Sequence, residues 1–334
     1  MKKIRVAIAG ATGAVGAELL RLLETRSFPV ESLRPLASER SRGASVRYAG
    51  ADLPVAVLDE ASFGGIDLAL FSCGAASSRC FAGHAVRAGA VVVDNSSAFR
   101  MDPGVPLVVP EINPEALAGH DGIVANPNCT TIVTLMAVAP LVAEAGAVSL
   151  RVASYQAASG AGARAMAELA DQTADVLADR PARPDVFPHP LAFNVIPGIG
   201  GFLPDGATTE ERKLTEETRK ILSLPDLRVS ALCVRVPVLR AHCAAVWLET
   251  ERPIAPDRAR EVLTAAPGVK VVDDPSSLAY PMPISAAGQD DVQVGRIRAD
   301  ESTSGHGLMF FVAGDQLLKG AALNAVQIAE KLFS

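Results

Sequence analysis

The stretch Asn126-Pro127-Asn128-Cys129-Thr130 places a cysteine where a predicted strand, residues 122–125, gives way to a predicted helix over the apolar run 132–142. A thiol at a helix N-terminus faces unpaired backbone N–H groups and the positive end of the helix dipole, and both favour the thiolate. Since the thiolate is the reactive form, Cys129 is a candidate nucleophile. Taken alone, the pattern fits a buried structural cysteine equally well.

A glycine-rich turn, Gly10-Ala11-Thr12-Gly13-Ala14-Val15-Gly16, follows an apolar segment near the N-terminus. Its spacing differs from the common Gly-x-Gly-x-x-Gly fingerprint, but it lies between a predicted buried strand and a predicted helix, the context of dinucleotide-binding turns. Glycines there allow a tight turn and a close approach to a pyrophosphate at the helix N-terminus. A turn without a ligand is the alternative. This signature favours the reactive interpretation of Cys129.

A second loop, Ser38-Glu39-Arg40-Ser41-Arg42, lies close to where dinucleotide-binding proteins place an acidic residue for the ribose hydroxyls of NAD. Glu39 would take that role. Arg40 and Arg42 would instead favour NADP, because arginine pairs bidentately with a phosphate such as the 2′-phosphate. A solvated charged loop without a ligand is the third possibility.

One of the five histidines, His242, follows Arg235-Val236-Pro237-Val238 and opens a predicted strand. Histidine is the natural acid or base near neutral pH. A partly buried structural histidine fits the same pattern.

Composition limits the class of protein. The chain has 334 residues, 49% apolar and 20% charged, which predicts a well-packed globular protein with two domains. A net charge of -6 argues against nucleic acid as a partner. The five cysteines are scattered and lack metal-site spacing, so we expect no metal and free thiols in a reducing cytoplasm. We also expect no signal peptide and, without a run of about 18 apolar residues, no membrane span.

The first half of the chain alternates predicted strands and helices, which indicates a Rossmann-type doubly wound parallel sheet over residues 1–128. Residues 129–314 contain longer alternating strands at 148–155, 228–238, 244–250, 292–298 and 308–312. These predict a second α+β domain with a largely antiparallel sheet. A predicted amphipathic helix over 315–332 should return to the first domain and complete it as residues 315–334.

Together these motifs resemble the aspartate-semialdehyde dehydrogenase family along the whole chain. The resemblance rests on six motifs in the family's order: Gly10–Gly16, Asp94-Asn95-Ser96-Ser97-Ala98-Phe99-Arg100, Asn126–Thr130, Tyr155-Gln156-Ala157-Ala158-Ser159-Gly160, Arg235–Val238 with His242, and Gln316-Leu317-Leu318-Lys319-Gly320-Ala321-Ala322.

The resemblance implies a role for each matching residue. Cys129 would form the acyl-enzyme, Gln156 would orient the acyl group, and His242 would be the acid/base. The implied substrate contacts are Arg100 and Lys213 at the phosphate, Glu210 at the ammonium, Arg235 at the carboxylate, and Asn128. The implied NADP contacts are Gly10, Thr12, Gly13, Ala14, Val15, Arg40, Ser41, Ser159, Gly160 and Gln316.

The implied reaction is NADPH-dependent reduction of 4-phospho-L-aspartate to L-aspartate 4-semialdehyde, in the biosynthesis of lysine, threonine, methionine and isoleucine. Thiolate attack would expel phosphate and leave a thioester. Backbone N–H groups at the start of the Cys129 helix would stabilise the oxyanion. The family further implies a homodimer formed through the sheet of the second domain.

Two departures from the family pattern flank His242. Ala241 replaces the usual glycine, and Cys243 replaces the usual serine. The segment Pro197–Gly201 is also less polar than expected. One alternative is N-acetyl-gamma-glutamyl-phosphate reductase, whose nucleophile usually follows glycine, whereas Asn128 precedes Cys129 here. The other is a catalytically silent relative, which should have lost the nucleophile or the base.

Overall fold

The computed structural model describes residues 3–333. The chain forms two compact units, the first from the described residues of Met1–Asn128 and Ala321–Ser334, the second from Cys129–Gly320. The sequence-based limits placed the return to the first domain at residue 315, whereas the second unit of the structure continues to Gly320.

The described residues form fourteen strands and eight α-helices, and both units contain strands and helices. The strands are β1 (Ile4–Ala9), β2 (Val30–Ala37), β3 (Ser45–Tyr48), β4 (Ala51–Pro54), β5 (Ala56–Val57), β6 (Leu68–Phe71), β7 (Val91–Asp94), β8 (Ile123–Ala125), β9 (Ser149–Gln156), β10 (Arg228–Arg235), β11 (His242–Glu249), β12 (Val269–Val271), β13 (Val292–Ala299) and β14 (Gly307–Gly314). The helices are α1 (Ala14–Thr25), α2 (Ala75–Arg87), α3 (Cys129–Ala145), α4 (Ala163–Leu177), α5 (Thr209–Leu222), α6 (Pro256–Ala265), α7 (Pro283–Ala286) and α8 (Leu323–Phe333).

The first unit contains a parallel sheet of order β5-β2-β1-β6-β7-β8. This is the Rossmann strand order, and it confirms the predicted doubly wound fold. The apolar run Leu68–Phe71 is wholly buried, as expected for a strand covered on both faces. The order reverses between β1 and β6, so the turns after these two strands meet at the edge where such sheets bind ligands.

The second unit contains a mixed sheet of order β10-β9-β11-β14-β13-β12. The pairs β9–β10 and β12–β13 are parallel. The pairs β9–β11, β11–β14 and β13–β14 are antiparallel, which confirms the prediction of a largely antiparallel sheet. Helices α3 and α6 pack against the sheet, and α5 packs against β10 and α3. Helix α3 is apolar around most of its circumference and is buried on more than one side, as expected for a helix in the core rather than at the surface.

The start of α5 is fixed by a capping box. The Thr208 hydroxyl accepts from the Glu211 N–H, and the Glu211 carboxylate accepts from the Thr208 N–H. A cap of this kind stabilises a helix by about 1 kcal/mol. This cap fixes the first helical turn, which contains Glu210.

The prediction of one α-helix over 315–332 is wrong for residues 315–322. Asp315 directly follows β14, a π-helical segment covers Leu318–Ala322, and the α-helix begins only at Leu323. The Asp315 carboxylate accepts hydrogen bonds from the N–H groups of Leu317 and Leu318, which holds this stretch as a turn. The hairpin β3–β4 and the short strands β5 and β12 had no counterpart in the sequence prediction.

Within residues 3–333 no helix has both the length and the apolar character needed to cross a membrane. The same residues contain no cluster of three or more His, Cys, Asp or Glu side chains arranged to hold a metal ion.

Candidate active site

Three predicted site residues meet at the ends of adjacent strands in the second unit. Gln156 and Arg235 are direct partners in the parallel β9–β10 register. His242 opens β11, one position beyond the Cys243–Tyr155 pair of the β9–β11 register. Since partners in register project from the same face, Gln156 and Arg235 lie side by side toward α5. Gln156 and His242 are 2% or less exposed, and Arg235 is 7% exposed.

The peptide of Ala157 orients two of these side chains. Its N–H donates to Nδ1 of His242 over 3.1 Å, and its carbonyl accepts from Nη1 of Arg235 over 2.6 Å. Because an amide N–H can only donate, Nδ1 of His242 is the acceptor, and the proton of the neutral ring lies on Nε2.

Burial, together with the nearby Arg235 charge, lowers the pKa of His242 well below its usual value. The Ala157 N–H acts in the same direction, because a protonated ring would place a second donor against it. Within residues 3–333, the buried Nε2 atom of His242 has no hydrogen-bond partner. A neutral imidazole therefore offers one unengaged N–H donor inside the site.

Cys129 is the first residue of α3 and is only partly buried. The backbone of Gly320 lies against it, since a Cβ added there would be 3.0 Å from the Cys129 Cβ. Burial lowers the pKa of Arg235, while electrostatic interactions with Cys129 and Glu210 oppose that change. A guanidinium that interacts with the sulfur in this way favours its thiolate form.

Three other cysteines, of which Cys233 and Cys243 are buried and Cys73 is partly buried, are poorer nucleophiles. Burial raises the pKa values of Cys233 and Cys243 to about 12 and that of Cys73 to about 11. These three thiols stay protonated near neutral pH.

Helix α5 adds a carboxylate and an ammonium to this region. Glu210 is 7% exposed and accepts from Nε2 of Gln156 over 3.4 Å and from Nζ of Lys213 over 3.3 Å. Its charge also interacts with Arg235. Two cations and one anion therefore lie around Gln156, an arrangement that suits a ligand with both charge signs.

The residue before His242 has an unusual backbone conformation. Ala241 is fully buried with φ of 75°, a region that L-residues other than glycine rarely adopt. Its N–H donates to Oε1 of Gln316 over 2.9 Å, and Nε2 of Gln316 donates to the Ser159 hydroxyl. A glycine would adopt this conformation without strain, and the hydrogen bond to Gln316 helps to hold the alanine in it.

Gly160 lies directly against the side chains of the site. A Cβ added there would lie 2.8 Å from Cε1 and Nε2 of His242 and 2.9 Å from Nη1 of Arg235. The absence of a side chain at this position is therefore required for the observed placement of both residues.

The substrate-binding predictions Arg100 and Asn128 belong to the first unit and are both buried. Arg100 donates through Nε to the Asn126 carbonyl over 2.9 Å and through Nη2 to the Asn95 carbonyl over 2.8 Å. The Asn126 side chain donates to Oδ1 of Asn95 and accepts from Asn324. These buried amides fix the loop that leads to Asn128.

The glycine turn after β1 has the packing expected of a dinucleotide site. Gly10 has φ of 94°, and a Cβ there would collide with the Ser72 carbonyl. A Cβ at Gly16 would collide with the Gly10 carbonyl. Helix α1 begins after Gly13 with no side-chain cap and no acidic residue in its first turn, which contains Ala14 and Val15. Its N-terminus thus fits an anionic group such as a pyrophosphate.

The loop after β2 lies beside this turn, since the hydroxyls of Thr12 and Ser41 are 3.1 Å apart. Both oxygens of Glu39 accept from the Arg42 guanidinium. Arg40 is exposed, and no carboxylate within residues 3–333 forms an ion pair with it. Of the two arginines, Arg40 is therefore the one available to an external phosphate.

Sequence reasoning missed three groups that shape these sites. The Ala157 peptide acts through its backbone and has no sequence signal. Asp315 and Asn324 are fully buried polar residues in the C-terminal region. In the sequence, the only indication of either residue is that a polar residue interrupts an apolar segment.

Two family models match the chain. One, described as "Semialdehyde dehydrogenase, NAD binding domain", matches residues 5–120. The other, described as "Semialdehyde dehydrogenase, dimerisation domain", matches residues 138–319. An aspartate-semialdehyde dehydrogenase of Synechocystis is 52% identical over 98% of this chain and 97% of its own length. One of Bacillus subtilis is 45% identical over 98% of this chain and 97% of its own length.

Solved structures give the same result. The crystal structure of aspartate semialdehyde dehydrogenase II from Vibrio cholerae covers 99% of this chain and 98% of its own, with a TM-score of 0.96 and 43% identity. That enzyme has also been solved complexed with ASA, with the same TM-score and identity. The chain therefore belongs to the aspartate-semialdehyde dehydrogenase family of oxidoreductases, and its first unit is the NAD(P)-binding domain.

Proposed function

We propose that this protein catalyses the NADPH-dependent reductive dephosphorylation of 4-phospho-L-aspartate to L-aspartate 4-semialdehyde through a Cys129 thioester. The pathway products would be lysine, threonine, methionine and isoleucine. The observation that carries the proposal is the cluster of Gln156, Arg235 and His242 at adjacent strand ends. The ASA complex of the Vibrio relative supports the same substrate class.

The charges of the second unit suit this substrate. Arg235 would pair with the α-carboxylate, and Glu210 with the α-ammonium. Lys213, now 3.3 Å from Glu210, would exchange that partner for the phosphoryl group. The further substrate contacts Arg100 and Asn128 stay predictions from the family resemblance.

In the proposed mechanism the Cys129 thiolate attacks the acyl carbon and phosphate leaves, so that a thioester forms. The helix N-terminus and Arg235 would stabilise the thiolate without a paired base. Gln156, held by Glu210 and by the Ser154 hydroxyl 3.3 Å away, would orient the acyl group.

The tautomer of His242 favours a role as a proton donor through Nε2 over a role as a base. With Nδ1 occupied by the Ala157 N–H, the ring would donate its Nε2 proton in a hydrogen bond to the substrate oxygen as negative charge develops there. A neutral donor in a buried site stabilises an oxyanion without itself having to titrate.

The first unit fits a dinucleotide, and the loop after β2 favours NADP over NAD. Glu39 is engaged by Arg42, which leaves Arg40, Ser41 and Thr12 as proposed contacts of the 2′-phosphate region. Gly10, Gly13, Ala14 and Val15 would face the pyrophosphate. When bound, the nicotinamide would supply the hydride that reduces the thioester. The second-unit contacts Ser159, Gly160 and Gln316 stay predictions.

The function is tested by phosphate-dependent, NADP-coupled oxidation of aspartate semialdehyde. Cys129→Ala should abolish this activity, because no acyl-enzyme can form. Cys233→Ala is the matched control and should keep it, since that buried thiol stays protonated. Full activity in Cys129→Ala would contradict the mechanism.

Cofactor choice is tested separately. Arg40→Ala should raise the KM for NADP at least about tenfold and leave the KM for NAD within about twofold, because only NADP has the 2′-phosphate. Arg87→Ala, an exposed arginine at the end of α2, controls for the lost surface charge. Equal effects on both dinucleotides would show that Arg40 does not contact that phosphate.

We also propose a homodimer. The sheet face opposite Gln156 exposes Tyr155 and Leu232, with Trp247 and Phe311 partly covered. Apolar residues on an open sheet face favour association, and the matched dimerisation-domain model supports it. Sedimentation of the wild type and of Leu232→Asp would test this face. The cytoplasmic location stays a prediction from the free thiols.

A further inference from the structure

The carboxylate of Asp315 connects three segments of the second unit. It is completely buried at the end of β14. Oδ2 accepts from Nε of Arg240 and from the N–H of Gly288, each over 2.6 Å. Oδ1 accepts from the N–H groups of Leu317 and Leu318 over 2.9 and 3.3 Å.

One of these connections leads to the histidine. Arg240 precedes the strained Ala241, and His242 is the β-sheet partner of Gly314, the residue before Asp315. Gln316, the residue after Asp315, accepts the Ala241 N–H. The side chain of Asp315 and the residues on both sides of it thus hold the backbone that sets the start of β11.

The other connection leads to the nucleophile. The carbonyl of Asp315 accepts from the N–H of Gly320 over 3.1 Å. Gly320 in turn lies against Cys129, and a Cβ there would be 3.0 Å from Cβ of Cys129 and 3.3 Å from Cβ of Gln316. The turn 315–320, shaped by the Asp315 carboxylate, therefore forms the surface behind the thiol.

We propose that Asp315 is a positioning residue that sets Cys129 and His242 relative to each other. The inference rests on the proposed function, in which both side chains act on one substrate. Asp315 has no direct role in the chemistry, because both of its oxygens are already occupied by protein donors. Its effect should therefore appear in kcat, while the residues proposed to hold the substrate charges, Arg235 and Glu210, keep their places.

The test is Asp315→Asn. The amide keeps the shape of the side chain but turns one acceptor into a donor, so at least two of the N–H groups lose a partner or face a donor. The chain offers a matched control in Asp273→Asn. The Asp273 side chain is 2% exposed and accepts from Nε of Arg260, at 2.8 Å, and from two backbone N–H groups. It lies at the bulge of β13 and not at the strand ends of the site.

Both variants should lower the melting temperature. Only Asp315→Asn should lower kcat, by at least about tenfold, with the KM for aspartate semialdehyde within about twofold of wild type. Equal kcat in the two variants would overturn the proposal, because Asp315 would then be merely structural. If Asp315→Asn does not fold, Arg240→Met is the second variant, because it removes the guanidinium that donates to Oδ2 and leaves Asp315 itself in place. It should also lower kcat, and an unchanged kcat would overturn the proposal.

A second measurement separates this inference from the proposed function. The rate at which iodoacetamide modifies Cys129, followed by mass spectrometry of its peptide, needs no substrate or dinucleotide. Asp315→Asn should change that rate at least about threefold relative to wild type, and Asp273→Asn should not. An unchanged rate overturns the positioning role. A wild type without dehydrogenase activity but with this rate difference would contradict the function alone.

Discussion

Gly160 offers the sharpest test of the site geometry. An alanine Cβ there would lie 2.8 Å from two ring atoms of His242, whereas unstrained carbon contacts begin near about 3.5 Å. The ring or the 158–161 turn must then move by roughly 0.7 Å. Neither nearby side chain can swing away freely, because His242 and Arg235 are each hydrogen-bonded to Ala157.

A displacement of this size should be costly for catalysis. Misplacement of a reacting group by about 1 Å can lower a rate about 100-fold, so Gly160→Ala should reduce kcat/KM for aspartate semialdehyde by roughly 10- to 100-fold. The KM should also rise, because Nη1 of Arg235 would be 2.9 Å from the new atom. The free energy of unfolding should fall by about 1–3 kcal/mol, because the added methyl group overlaps buried side chains that are held by hydrogen bonds.

The assay is steady-state oxidation of aspartate semialdehyde with NADP and phosphate, alongside thermal unfolding. Gly119→Ala is the matched control, because a Cβ there would meet nothing within 4 Å. A Gly160→Ala enzyme with kcat/KM within about twofold of wild type would refute the argument that this glycine sets the positions of His242 and Arg235.

Two further predictions concern stability. Ala241→Gly should leave the free energy of unfolding within about 1 kcal/mol of wild type, because relief of the left-handed conformation is offset by the loss of a buried methyl group and by the added flexibility of the unfolded chain. Denaturant titration measures this, and a loss above about 1 kcal/mol would contradict it. The pKa of His242 is lowered in the folded state. The free energy of unfolding should therefore fall as the pH drops below about 6.5, by up to about 1.4 kcal/mol per pH unit, because the unfolded chain then binds a proton that the buried ring does not. Denaturation of wild type and His242→Gln between about pH 5 and 7 should therefore show the steeper acid loss in wild type, and parallel curves would show that His242 is not buried as a neutral ring.

Much of this fold was predictable because its determinants are local. The apolar run Ile4–Ala9 followed by Gly10–Gly16 can hardly form anything but a buried strand, a tight turn and a helix. The alternating strands and helices that follow require a parallel sheet. The helix predicted from Asp315 failed because apolar spacing could not reveal that the Asp315 carboxylate accepts N–H groups two and three residues ahead.

The residue types of the site were set by the sequence alone: a cysteine at a helix start, a histidine opening a strand, and arginines and a glutamate that suit a zwitterionic phosphate. Only the tertiary structure decided how they work. The register of β9, β10 and β11 brought Gln156, Arg235 and His242 to one edge, and the Ala157 peptide chose which histidine nitrogen holds the proton. These features depend on backbone groups and on contacts between residues far apart in the chain. They therefore cannot be read from the identity of a single residue.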